Sequence, residues 1–307
     1  MTGTLDEDYR RLRTEVAAYH LARDVVRVEG PDAASYLQGQ CSQDLDPLAI
    51  GATVDTLLLA PDGKINALAR VLRIGDELFH LDVDAGFGGV VLERLARFKL
   101  RSRFELSEID WSCVALRGPK AATVAGLAAP VVAPFAWNGL EGVDLLGPTG
   151  SIEVPDDVRW CSDEAWEATR IESGIPAMGR ELTDGVIPAE TGTVERAVSF
   201  TKGCFTGQEL VARIDSRGAA VPHRLAGLVL AGEIDPAELV DAQLVVPAKE
   251  KSVGRVTSAS WCPGVGAVCA LAYVHRSVDT GTDVGVRRAG GGPGEVVAAS
   301  VRPLPLV

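Results

Sequence analysis

Residues 199–218 read SFTKGCFTGQELVARIDSRG, and the octet from Lys202 to Glu209 sets a thiol, an amine, two glycines, an amide and a carboxylate into eight positions. Thr206 followed three residues later by Glu209 has capping-box spacing, which predicts a helix opening at about Gly207. Leu210, Val211 and Ile214 supply its buried stripe and Gly218 its stop. Cys204 then falls on the loop feeding the positive end of the helix, with Lys202 close by. Both would favour thiolate over thiol. Gly203 and Gly207 would let another group come near. Spacing alone leaves two readings open, an ordinary loop cysteine and a functional thiol.

Working outward, the chain has 307 residues, enough for two or three lobes. Hydrophobic residues make up 47% and charged ones 23%, ordinary globular usage that excludes fibrous and disordered classes. A net charge of -12, with no long Lys/Arg run, argues against nucleic acid and anionic membranes as partners. Apolar stretches such as VDTLLLA are far too short to span a bilayer, and the acidic start MTGTLDEDYRRLRTEV lacks the apolar core of a signal peptide. A cytoplasmic location is the expectation. The six cysteines, at 41, 113, 161, 204, 262 and 269, form no CxxC pair and no zinc-finger spacing, so no metal site is predicted. Those other than Cys204 are expected to be buried thiols, and the four histidines are not paired at metal-binding spacing.

The pattern along the chain is mixed. Leu5 to Leu21 reads as one amphipathic helix, VVRVEG as a strand, and PDAASYLQGQ as a helix opened by Pro31. TVDTLLLA, KINALARVLRI and LFHLDV, separated by PDG and GDE, read as an antiparallel meander. Residues 84–100 predict a helix buried through Val90, Leu92, Leu95 and Phe98, with strands following at RFELSEI and WSCVALRG. The Ala-, Gly- and Pro-rich stretch 119–155 predicts loops and a weak helix. SDEAWEATRIESGIP has acidic residues in its first turn and Gly174 and Pro176 at its end, standard start and stop signals. Beyond His223 short β-like runs predict a small β-barrel or sandwich, which places a domain boundary near residue 221. AGGGPGE near the C-terminus lacks phosphate-loop order and reads as a hairpin turn.

In the helix ending WEATRIESGIP, Trp166 and Arg170 stand at i, i+4 and share a face. Glu172, at the helix end disfavoured by the dipole, either pairs with an arginine or awaits a donor. Glu190, in IPAE, reads alone as a solvated loop residue.

KGCFTGQELVAR resembles the signature of the YgfZ family, folate-binding relatives of the glycine-cleavage T-protein that include mitochondrial iron-sulfur assembly factors. YLQGQCSQD, APDGKINALARV, WEATRIESGIPAMGRE, IPAETG and VGRVTSASWCPGVGAVCALAYV follow in the family's order, from about residue 25 to 275. The resemblance implies an α+β, three-lobed cloverleaf. Residues 1–221 would form two α+β lobes, the second at roughly 52–118, and 222–307 an antiparallel β-barrel, around a central hole that holds tetrahydrofolate. It implies that Cys204 is the functional thiol with Lys202 beside it, and that Trp166, Glu172, Arg170 and Glu190 belong to the folate site. Two departures stand out. The paired aspartates of T-proteins are replaced by Asn66 and Ala67, removing a base for aminomethyl transfer. An aromatic of some relatives is replaced at about Arg23.

The function so implied is a tetrahydrofolate-dependent factor for assembly or repair of iron-sulfur clusters, chiefly [4Fe-4S], in client enzymes, with folate and client or assembly proteins as partners. The alternatives are a folate-dependent aminomethyl- or methyltransferase or demethylase, and a non-catalytic folate-binding module. Nothing in the sequence demands more than a monomer.

Overall fold

A computed structural model describes residues 4–218, 220–246, 251–287 and 296–307; the AGGGPGE stretch lies outside them. Two five-stranded sheets and a closed barrel carry the architecture. The first helix, α1, is shorter than the periodicity predicts, running only Leu5–Thr14. The chain then turns into β1 (Ala17–Leu21). Tertiary pairing overrides helical spacing here: Ala17–Leu21 lie antiparallel to Arg117–Cys113, and both alanines are fully buried.

The first sheet contains β2 (Arg23–Glu29), β3 (Thr53–Leu59), β4 (Ile65–Arg73), β5 (Leu78–Asp84) and β6 (Glu105–Ile109), in the order β3-β4-β5-β2-β6. The predicted meander is β3-β4-β5, antiparallel throughout. Helices α2 (Ala33–Gln40) and α3 (Gly88–Arg97) cover it and share one hydrophobic core with it. Of the predicted stripe on α3, Leu95 is buried in the core and Leu92 and Phe98 pack against it, whereas Val90 is exposed and its place is taken by Val91 and Arg94.

The second sheet joins β1 to β7 (Trp111–Arg117), β8 (Val131–Trp137), β9 (Leu140–Pro148) and β10 (Arg159–Trp160), in the order β10-β1-β7-β9-β8. Strands β8 and β9 correct the expectation of loops over 119–155. Pro134 is tolerated because β8 is an edge strand. The connecting turn is Asn138-Gly139, both at positive φ, the strongest short hairpin signal a sequence can carry.

Helix α4 (Asp163–Ser173) has the predicted ends, with Ser162 capping the Ala165 N–H and Gly174 in the left-handed conformation. Two short helices follow, α5 (Pro188–Thr191) and α6 (Val194–Ala197), and then α7 (Gln208–Asp215). The barrel closes through β11 (His223–Leu230), β12 (Gln243–Val246), β13 (Lys251–Cys262), β14 (Ala267–His275), β15 (Asp283–Arg287) and β16 (Val296–Arg302), in the order β11-β14-β13-β12-β15-β16. Its inward residues, among them Leu228, Leu244, Val256 and Val286, form a separate core.

Candidate functional site

The KGCFTGQE octet is built onto the end of α2. The Lys202 ammonium donates to the carbonyls of Gln38, Cys41 and Gln43 at 2.6, 2.8 and 2.8 Å. A helix leaves its last carbonyls without partners, and this ammonium satisfies that of Gln38 together with those of Cys41 and Gln43 just beyond the helix end. Burial pulls the Lys202 pKa below its ordinary value. Thr206 N–H donates to Gly39 O, Ser199 N–H to Ser42 O, and Phe205 enters the core of the first sheet. YLQGQCSQD and KGCFTGQE, some 160 residues apart, are therefore one structural unit.

This corrects three expectations. The Lys202 ammonium is committed to backbone carbonyls rather than to the Cys204 thiol. There is no capping box: Gly207 is the N-cap, without a side-chain cap. Thr206 Oγ1 instead bonds Gln40 Oε1, and Glu209 pairs with Arg213. Nor do both glycines serve an incoming group. Gly203 has open space around it, whereas Gly207, at φ 83°, faces the β3–β4 hairpin, where a Cβ would lie 2.7 Å from Ala60 O and 2.8 Å from Leu59 Cβ. Gly207→Ala should accordingly cost about 2–3 kcal/mol, because strain and overlap add. Urea denaturation checks this, and unchanged stability would show that the hairpin contact is dispensable. Held at both ends, the loop presents Cys204 exposed, whereas the other five cysteines are buried.

A second feature lies between the two sheets and α4, a cavity of about 370 Å³. Trp166 stacks on Tyr19 with ring centroids 4.4 Å apart, and Phe135 lies 3.5 Å below the Arg117 guanidinium, which also faces Trp166. Beneath these rings runs a buried charge lattice. Asp144 accepts from Arg70 at 2.6 Å and Arg117 at 2.7 Å, Arg70 also bonds Asp82, and Arg23 pairs with Asp82 and Asp84. Burial alone would raise the Asp144 pKa, but Arg117 and Arg70 outweigh it and hold the carboxyl at about 2. Glu167 is likewise held below its ordinary value, burial being outweighed by Arg170 and Arg180. Asp55, on the same cavity, pairs with Arg196. Every described carboxylate lining the cavity thus has an arginine partner, and none stands unpaired.

Trp166 and Arg170 line this cavity, as does Arg23. Arg170 is also a hub, bonding Glu167, Glu181, Ile175 O and the barrel's Ser258. Glu172 lies elsewhere. It is fully buried and accepts from Tyr9, Arg13 and the Gly264 N–H, bracing α1, α4 and the β13–β14 turn. The expectation that it finds an arginine is met by Arg13. Glu190 sits on α5 with its carboxylate 3.8 Å from His223 Nδ1 and does not line the cavity. Neither do Cys204 and Lys202. Ala67 is buried in the core of the first sheet and Asn66 is half-buried beside it; neither lines the cavity, although Leu68, Ala69 and Arg70, next along β4, do. Sequence reasoning missed Tyr19, Arg70, Arg117, Phe135, Asp144 and Glu167. Only Glu167 carried a signal, sitting three residues before Arg170 on the helical face already singled out.

Comparison with known proteins places this geometry among relatives. Residues 1–132 match the GCVT N-terminal domain and residues 223–307 the glycine cleavage T-protein C-terminal barrel domain, together more than half the chain. A mitochondrial iron-sulfur cluster assembly factor IBA57 homolog from Pyricularia oryzae is 27% identical over 287 residues, 81% of this chain and 70% of that protein. The tRNA-modifying protein YgfZ of Edwardsiella ictaluri is 29% identical over 236 residues, 66% of this chain and 70% of that one. The crystal structure of glycine cleavage system aminomethyltransferase T from Bartonella henselae superposes with a TM-score of 0.83 over 100% of this chain and 91% of that one, at 20% identity, which shows a shared fold.

Proposed function

Because the chain belongs to the YgfZ family, related to the glycine-cleavage T-protein, we propose that it is a tetrahydrofolate-dependent factor supporting assembly or repair of iron-sulfur clusters, chiefly [4Fe-4S], in client enzymes. One observation carries the reading. The cavity is equipped to bind a flat aromatic molecule but has no unpaired carboxylate among the described residues, while the exposed Cys204 thiol stands on a separate, clamped loop. A site that binds without acid–base machinery suits a factor better than a transferase.

The residues present fit a reduced folate. A cavity of about 370 Å³ is within the range of small-molecule sites, about 300–1,000 Å³. Trp166, Tyr19 and Phe135 offer π-faces for the pterin and aminobenzoate rings. The Nε of Arg117 is buried with no partner among the described residues, a donor left over for a ligand. Arg180, at the more exposed edge, offers positive charge to a glutamyl carboxylate. When bound, tetrahydrofolate would supply one-carbon chemistry at its reduced nitrogens; the chain's own contribution is to stack the rings, match hydrogen bonds and exclude water. Cys204 supplies the second function, because it is an exposed cysteine and cysteine sulfur serves both as a nucleophile and as a ligand for iron.

Aminomethyl transfer, the competing reading, needs a base where this chain has Asn66 and Ala67, and the arginine-paired carboxylates of the cavity do not replace it. Deleting the gene should lower the activity of aconitase and of radical methylthiolases during oxidative stress. Normal activities there would refute the proposed function.

A further inference from the structure

Helix α7 buries less than its sequence predicts. Val211 is buried, but Leu210 and Ile214 are only partly covered, and with Phe200, itself 47% exposed, they line an open groove of about 410 Å³ between α5, α6 and α7. Large aromatic side chains seldom stay this exposed beside other apolar groups without a partner. Glu195 and Asp215 also line the groove. Both are exposed, and neither forms an ion pair among the described residues. Phe200 lies four positions before Cys204 and Leu210 six after it, so thiol and groove belong to one continuous segment.

We propose that this groove docks a polypeptide partner through a short amphipathic segment whose bulky apolar side chains enter the groove and whose flanking Lys or Arg side chains meet Glu195 and Asp215. The apolar floor calls for Leu- or Phe-like anchors, the mode in which amphipathic helices dock in grooves. The unpaired carboxylates call for cations, and such rim charges select partners and speed their encounter. The same carboxylates, on a chain of net charge -12, repel phosphate backbones and anionic lipid surfaces. A partner seated here would lie along the segment that carries Cys204. That consequence rests on the function proposed above; the docking itself does not.

The test is fluorescence anisotropy with a labelled 14-residue peptide of Leu and Lys in amphipathic helical order, at physiological salt, against the full chain. The expected result is binding that weakens about tenfold or more in Glu195→Lys/Asp215→Lys and in Phe200→Ser. The matching reversal at Glu233 and Asp279, exposed on the barrel side, should leave it within about twofold. The proposal is overturned if the two reversals weaken binding equally, which is bulk charge, or if a Leu/Glu peptide binds as well. It is also overturned if the chain self-associates through Phe200, which makes a second copy the occupant. The assay contains neither folate nor clusters, so its failure leaves the proposed function standing, and failure of that function leaves the groove standing.

Discussion

A strain carrying Cys204→Ala in this chain will show the aconitase activity of the deletion strain during oxidative stress, although the variant protein folds normally. Normal folding is expected because Cys204 is exposed and its loop is held by other groups: the Lys202 ammonium, the Thr206 N–H and the Phe205 ring. Surface substitutions of this kind usually change stability by less than about 0.5 kcal/mol. Loss of activity therefore reports the thiol rather than the scaffold. Cys204→Ser should fail equally, because a hydroxyl neither ionises nor ligates as a thiolate does near neutral pH. Full activity of either variant would remove the thiol from the account.

The second large effect falls on the charge lattice. Asp144→Asn leaves Arg117 and one nitrogen of Arg70 buried without a counter-charge. Removing one member of such a buried network costs about 3–5 kcal/mol. A fall in Tm on the order of 10 °C is expected. The pH dependence follows from the same group. The Asp144 pKa is held at about 2 against an ordinary 3.8, so its stabilisation is fully present above the ordinary value and is lost as pH falls through about 2. Stability of the native chain should drop across that window, and the drop should be smaller in the variant. Equal acid profiles for the two proteins, or an unchanged Tm, would show that the lattice does not hold the sheets together.

Local signals were legible wherever they coincide with local physics. The ends of α4, the β3-β4-β5 meander and the closing barrel all follow from caps, turns and alternation. The β8–β9 hairpin was legible too, through Asn138-Gly139, but Ala, Gly and Pro around it read as loop; Pro134 is compatible with a strand only because β8 lies at an edge. The break between α1 and β1 depends on pairing with β7, nearly a hundred residues on, which helical spacing does not register.

The candidate site divides the same way. Cys204, which is exposed, and Trp166, which lines the cavity, were singled out from their motifs. The lattice was not, because Arg70 and Asp144 stand 74 positions apart and each alone resembles a polar strand residue. Lys202 misled for a different reason: its partners are backbone carbonyls, which have no sequence signature. Neighbours in sequence, Lys202 and Cys204 point to different tasks, one holding the loop and one exposed on it.

Whether the aromatic cavity binds folate independently of the thiol is decided by calorimetric titration of tetrahydrofolate under reducing conditions. Base–aromatic stacking is worth about 1–3 kcal/mol. The predicted result is one molecule bound per chain, affinity about tenfold weaker in Trp166→Ala, and affinity unchanged in Cys204→Ala. No binding to the native chain, or equal affinity in the native chain and Trp166→Ala, would contradict it.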